Sequence, residues 1–163
     1  MNSTALDSYF NKVFTKLCSG IATTTGTLAT GTPPPYAYGR EEVMPNLYFK
    51  ASMLSSRTGN GFTLEALIAS GSNATVVRSE SFGPNSAAAQ PWNSSALTSF
   101  YQAQMDAVYA ALPIDTQAEF AQQYVAVKDF LSRGQTGVAQ AIIANTPLTA
   151  NLEATRAKLL TYL

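Results

Sequence analysis

Apolar residues near the start of the chain recur at helical spacing. Four of them are separated by four, three and four residues and therefore share one helix face: Leu6, Phe10, Val13 and Leu17. Most of the positions between them are polar. The pattern predicts an amphipathic α-helix over residues 4 to 18.

Between residues 46 and 82 the pattern changes to the alternation that is typical of β-strands. Apolar residues occupy every second position in two segments, Leu47 to Met53 and Phe62 to Ile68, and glycine-containing turns follow each segment. A third segment runs from Thr75 to Phe82. We predict a three-stranded antiparallel meander here. A short helix over Leu64 to Ser70 is the alternative, because this run also contains good helix formers.

The C-terminal half returns to helical spacing. One apolar series runs from Leu97 to Leu112 and stops at Pro113, and a second runs from Phe120 to Leu131 and stops at Gly134. Thr116 and Glu119 have the spacing of a capping box, which predicts that the second helix begins there. Two shorter helices, at about 138–145 and 150–162, complete a predicted bundle of about four helices.

Two stretches show neither the helical nor the strand spacing of apolar residues. Residues 19 to 40 contain glycine, threonine and a run of prolines, which predicts an extended surface arm. Residues 83 to 94 are rich in small residues and predict a linker. We expect residues 1–163 to form one α+β domain, with helix, arm and meander in 1–82 and the helical part in 95–163, because neither half alone would bury much apolar surface.

Composition excludes most familiar catalytic sites. The chain has no histidine, and charged residues make up 12% of it, with ten basic and ten acidic side chains. Histidine is the commonest general base and metal ligand, so its absence argues against most enzymes and metal centres. We therefore predict no catalytic residues, no cofactor and no metal. Zero net charge also argues against nucleic acid as a partner.

The N-terminus has no basic region followed by an apolar stretch, and no apolar run is long enough to cross a bilayer. We expect no membrane partner. The single cysteine, Cys18, is predicted to be buried or half-buried on the first helix.

The candidate binding residues are aromatic and proline side chains that could anchor the chain to another protein. Tyrosine and tryptophan bury a large area at interfaces for a small loss of conformational entropy. The arm and the linker supply the candidates: Pro33, Pro34, Pro35, Tyr36, Tyr38 and Trp92. The first four also resemble the PPxY ligand of WW domains. Trp92 has a second interpretation, as a plug over the protein's own core.

A neutral, alanine-, serine- and threonine-rich chain without histidine resembles the capsid and tail proteins of tailed bacteriophages. The resemblance implies a structural subunit of a virion, assembled in the host cytoplasm from many copies or with other subunits. A cytoplasmic adaptor or assembly chaperone that binds a partner segment through the C-terminal helices is the first alternative. A carboxylate-dependent hydrolase or carbohydrate-active protein is the second, and it requires two converging acids.

Overall fold

The structure is a computed structural model that describes residues 2–23, 36–38, 43–54, 61–83, 86–147 and 152–163. These ranges contain five helices and four strands: α1 (Ser3–Thr23), β1 (Tyr36–Tyr38), β2 (Leu47–Leu54), β3 (Gly61–Ser70), β4 (Asn73–Phe82), α2 (Ser94–Ala110), α3 (Ile114–Ser132), α4 (Thr136–Asn145) and α5 (Glu153–Thr161). The predicted α+β class is confirmed.

The chain divides into two compact units. One is Ser3–Ser94, which holds α1 and the strands, and the other contains Ser95–Leu163 and the remaining helices. The division falls at the end of the predicted linker 83–94. That both units belong to one cooperative domain stays a prediction.

Helix α1 buries the predicted face. Leu6 and Phe10 are fully buried and Val13 is nearly so. Phe10 and its neighbour Tyr9 contact Phe49 of the sheet, and the Tyr9 and Phe49 rings meet edge-on at 4.9 Å. The helix is five residues longer than predicted at its C-terminal end, because a single glycine lowers helix stability by about 1 kcal/mol without ending the helix.

The predicted meander is confirmed and has one more strand. The sheet order is β1-β2-β3-β4, with every neighbouring pair antiparallel. Residues Leu64 to Ser70 form strand β3, so the helical alternative was wrong. The buried positions of β2 and β3 alternate as predicted, because residues two apart point to the same side of a sheet. The sheet therefore has one face covered by α1.

Strand β4 carries an irregularity that matters for its outer edge. Ala66 pairs with Arg78 and Leu67 with Val76, so Val77 is an extra, fully buried residue.

The chain that follows β4 returns along the outer edge of this strand. Gln90 exchanges two backbone hydrogen bonds with Ser79, and the Asn93 N–H donates to the Val77 carbonyl at 2.7 Å. We call these residues, 90 to 93, the edge segment.

In the second unit, α2 to α5 occupy the predicted helical positions. Helix α3 begins at Ile114, directly after Pro113, so the prediction of a capping box at Thr116 was wrong. Proline needs no hydrogen-bond partner for its nitrogen and its φ suits a helix start, and Thr116 is buried in the first turn instead.

Helix α3 ends just before Gly134, the glycine at which the sequence predicts its end. Gly134 has a φ of 73°, and its N–H donates to the Leu131 carbonyl while the next N–H, from Gln135, donates to Phe130. These two bonds form a Schellman motif, which satisfies carbonyls that the helix end leaves open.

Candidate interaction surface

Helix α3 has apolar side chains on two faces. The buried face holds Phe120, Tyr124 and Val127, which are at most 6% exposed. A second face, about a third of a turn away, carries an apolar series at spacings of four, three and four residues, which we call the outer row: Ile114, Ala118, Ala121 and Val125. A helix that is apolar on both sides is expected to be covered on both sides.

The two large members of the outer row are strongly exposed. Ile114 is 83% exposed and Val125 is 68% exposed, although isoleucine and valine rank among the residues most often buried in proteins. Between them Ala118 is exposed and Ala121 is half-buried. The outer row is therefore a line of four apolar side chains along α3 rather than a single stray side chain.

Side-chain contacts with α2 help to orient α3. The rings of Tyr109 and Tyr124 stack at 4.3 Å with an angle of 5° between them. Tyr109 also donates its hydroxyl hydrogen to the Gln117 carbonyl at 2.7 Å. Because these contacts hold the buried face against α2, the outer row cannot turn inward without breaking them.

A polar cluster joins the same two helices. The Tyr124 hydroxyl donates to Asp106 Oδ1, and Lys128 Nζ lies 3.1 Å from the same oxygen. The hydrogen bond from Tyr124, and less strongly Lys128, lower the pKa of Asp106. Burial and the hydrogen bond to the carboxylate raise the pKa of Tyr124 well above its ordinary value. The cluster keeps one carboxylate charged and one phenol neutral, which suits a structural clamp.

Charges are distributed unevenly along α3. The first half carries two exposed acids, Asp115 and Glu119, and no basic residue. The second half and the helix end carry Lys128, Asp129 and Arg133. The last two form an ion pair in which both side chains remain about half exposed or more, and such surface pairs exchange partners at little cost.

The second candidate site surrounds Arg78, on the face of the sheet that α1 covers. The guanidinium lies 4.0 Å from the centre of the Phe10 ring and donates to Asp7 at 2.8 Å. The Trp92 indole N–H donates to the same Asp7 oxygen at 2.6 Å. An open depression of about 450 Å³ lies beside this cluster.

The charged side chains that line this depression are already paired with one another. Its two carboxylates, Asp7 and Glu80, lie 2.8 and 3.8 Å from the same Arg78 guanidinium. Among the described residues, no group of three histidine, cysteine or acidic side chains could hold a metal ion.

The predicted binding residues are not brought together by the described structure. Pro33, Pro34 and Pro35 lie outside the described residues. The backbone of Tyr36 and Tyr38 forms β1, at the edge of the sheet beside β2, rather than part of an irregular arm.

Trp92 is half-buried and contacts its own unit. Its ring meets the Phe10 ring edge-on at 5.7 Å, and Arg78 lies 5.2 Å from its centre. These contacts favour the interpretation of Trp92 as a plug over the core. Its role at an interface stays a prediction.

Cys18 is half-buried, as predicted. Burial, and to a smaller extent the negative charge of Glu80, raise the pKa of its thiol. A thiol of raised pKa carries little thiolate at neutral pH, so Cys18 has the surroundings of an inert, packed cysteine.

The sequence analysis missed the outer row, although the signal was present. The helical spacing of Phe120, Tyr124 and Val127 predicts one apolar face of α3 and leaves the second series unrecognised. Its small members, Ala118 and Ala121, hide the pattern, since alanine is common on any helix.

Comparison of the chain with protein-family models, with curated proteins and with solved structures found no match. Within the described part of the chain, no helix combines the length and the apolar character that crossing a membrane requires.

Proposed function

We propose that this protein is a structural subunit that assembles with other protein subunits, most simply with copies of itself. The observation that supports this proposal is the outer row of α3. Exposing Ile114 and Val125 to water is unfavourable, and covering them with another protein surface removes that cost.

The charge balance supports the same proposal. Ten basic and ten acidic residues leave no net charge to keep copies apart. Zero net charge also gives no general attraction for nucleic acid or for an anionic surface. Protein is therefore the partner that fits this surface best.

We further propose that the assembly is a virion of the tailed-bacteriophage kind. This part rests on the resemblance in composition, and the neutral, charge-poor surface is compatible with many copies in close contact. The protein would then be a component of the head, the neck or the tail.

The first experiment is the solution mass of the full chain, measured by light scattering over a concentration series. We expect a mass that rises with concentration to oligomers or larger particles. Negative-stain electron microscopy of those particles then tests the virion proposal, for which rings, tubes or shells of constant diameter are expected.

Two results would contradict the proposal at different levels. A monomer at every concentration would remove self-assembly and favour the adaptor, whose outer row would take a partner's helix. Irregular aggregates without repeating structure would contradict the virion assignment.

A variant with serines in place of Pro33, Pro34 and Pro35, measured alongside, tests whether the predicted arm contributes to assembly.

A further inference from the structure

The depression beside Arg78 has the size and the lining of a small-molecule site. Its volume of about 450 Å³ falls within the range of about 300 to 1,000 Å³ that ligand pockets occupy. Residues of α1, β4 and the edge segment line it, and all of them belong to the unit Ser3–Ser94. Besides Arg78, its polar and aromatic groups come from Asp7, Glu80, Gln90 and Trp92.

The ion pairs in this depression leave hydrogen-bond acceptors open. Arg78 and Trp92 both donate to one oxygen of Asp7, Oδ1. Glu80 Oε2 lies 3.8 Å from the Arg78 guanidinium, which is too far for a hydrogen bond. Among the residues that the structure describes, none donates a hydrogen bond to Asp7 Oδ2 or to the Glu80 carboxylate. Three carboxylate oxygens can therefore accept hydrogen bonds from a ligand.

Charge narrows the class of ligand. Two carboxylates and one guanidinium give the depression a net negative charge, which repels phosphate and carboxylate groups. The guanidinium of Arg78 is only 16% exposed and lies against the Phe10 ring, so little of it can reach an anion. A cation also gains little, because Arg78 already pairs with both carboxylates. An uncharged ligand with several donors fits the site best.

The Trp92 ring is held in place beside these acceptors. Its N–H donates to Asp7 at 2.6 Å, and its ring meets the Phe10 ring edge-on at 5.7 Å. The ring is half-buried, and its remaining surface lines the depression. An aromatic surface that is fixed before binding costs a ligand less conformational entropy than a mobile one.

We propose that this depression binds one ring of an uncharged saccharide. A pyranose ring has a face of C–H groups that can pack on the indole, and a rim of hydroxyls that both donate and accept hydrogen bonds. These hydroxyls donate to Asp7 Oδ2 and to Glu80, and they accept from the Gln90 carboxamide. Binding does not depend on assembly, because a single chain supplies the whole lining.

Tryptophan fluorescence tests the proposal directly, since Trp92 is the single tryptophan of the chain. The full chain is titrated with methyl β-D-glucopyranoside, methyl β-D-galactopyranoside, methyl α-D-mannopyranoside and N-acetyl-D-glucosamine. We expect at least one of them to change the emission saturably, with a dissociation constant on the order of 1 mM. No saturable change with any of the four overturns the proposal.

A change of one acid places the binding. Glu80→Gln keeps the shape of the side chain and removes its charge, so the dissociation constant should rise about fivefold or more. Glu65→Gln is the matched control, because Glu65 lies on the other face of the sheet, and it should bind as the wild type does. Equal affinity in Glu80→Gln and the wild type, or an equal loss in both variants, overturns the proposal. Far-UV circular dichroism checks that both variants are folded.

Charged analogues test the class of ligand. D-Glucuronate and protonated D-glucosamine keep the pyranose ring and add a negative or a positive charge. We expect both to bind more weakly than the best uncharged sugar. Tighter binding of either one overturns the assignment of an uncharged ligand. A monomeric chain that binds sugar contradicts only the proposed function, and oligomers that bind none contradict only this proposal.

Discussion

At the scale of single residues, position within a helix decides what a side chain contributes. Phe120 and Val125 lie five residues apart on α3 and differ completely in exposure, at 1% and 68%. The first contributes the free energy of burial to the fold. The second contributes nothing comparable until another protein covers it.

This difference gives a prediction for truncation. Phe120→Ala should lower the free energy of unfolding by about 3 to 5 kcal/mol, because it removes a buried ring and leaves a cavity. Val125→Ala should change it by less than about 0.5 kcal/mol. Denaturant unfolding at a protein concentration where the chain is monomeric measures both. Equal losses would mean that the α3 faces are assigned incorrectly.

At the scale of elements, two ionisable groups contribute to the contact between α2 and α3. The Asp106 carboxyl has a lowered pKa, so its contribution is present above its ordinary pKa of 3.8 and is lost as the pH falls through the lower folded value. The Tyr124 phenol has a raised pKa. Its contribution is therefore full below the ordinary pKa of 10.0 and is lost as the pH rises beyond it.

The protein should accordingly lose stability at both ends of the pH range, below about pH 4 and above about pH 10. Tyr124→Phe should weaken both losses, since it removes the phenol and the hydrogen bond that lowers the pKa of Asp106. Thermal unfolding across pH, followed by far-UV circular dichroism, measures this. Tyr109→Phe is the matched control because it keeps the bond between Tyr124 and Asp106. An unaltered pH profile in Tyr124→Phe would contradict the role of the cluster.

The elements also show which parts of the fold follow from sequence. Long periodic segments were predicted well, because the alternation in Leu47 to Met53 and the spacing in Phe120 to Leu131 depend on burial of one face. The start of α3 was wrong because two helix-start signals, Pro113 and Thr116, compete, and the capping pair was preferred. Strand β1 could not be predicted, since three residues carry no period and its pairing with β2 is non-local.

The candidate site was the part least accessible to sequence. The predicted binding residues were chosen for their chemistry, as prolines and large aromatics, and Trp92 proved to contact Phe10 and Arg78. Arg78 itself carried no signal, because its partner Asp7 is 71 residues away in the chain. The outer row was readable, but only the structure establishes that α3 has its larger apolar face already buried.

At the scale of the whole molecule, the chain consists of two compact units, which we predict to unfold together. Each has its own buried residues, yet a chain of this length usually forms one domain. The single tryptophan reports on one unit only, because Trp92 lies against Phe10 in Ser3–Ser94.

If the chain is one cooperative domain, urea should unfold both units at the same midpoint. Trp92 fluorescence follows the unit with the sheet, and far-UV circular dichroism is dominated by the helices, most of which belong to the other unit. We expect the two curves to coincide. Separate midpoints would contradict the single-domain prediction and make residues 83 to 94 a true linker between domains.

The edge segment has a consequence for the manner in which copies can associate. The free margin of a β-sheet is a template on which identical chains can add without limit, which leads to fibrils. Along Val77 to Ser79 the polypeptide occupies that margin itself, with backbone bonds from Gln90 and Asn93. Growth of the sheet from chain to chain is blocked there. The proposed assembly therefore has to form through contacts between side chains rather than through hydrogen bonds along this stretch of the sheet edge.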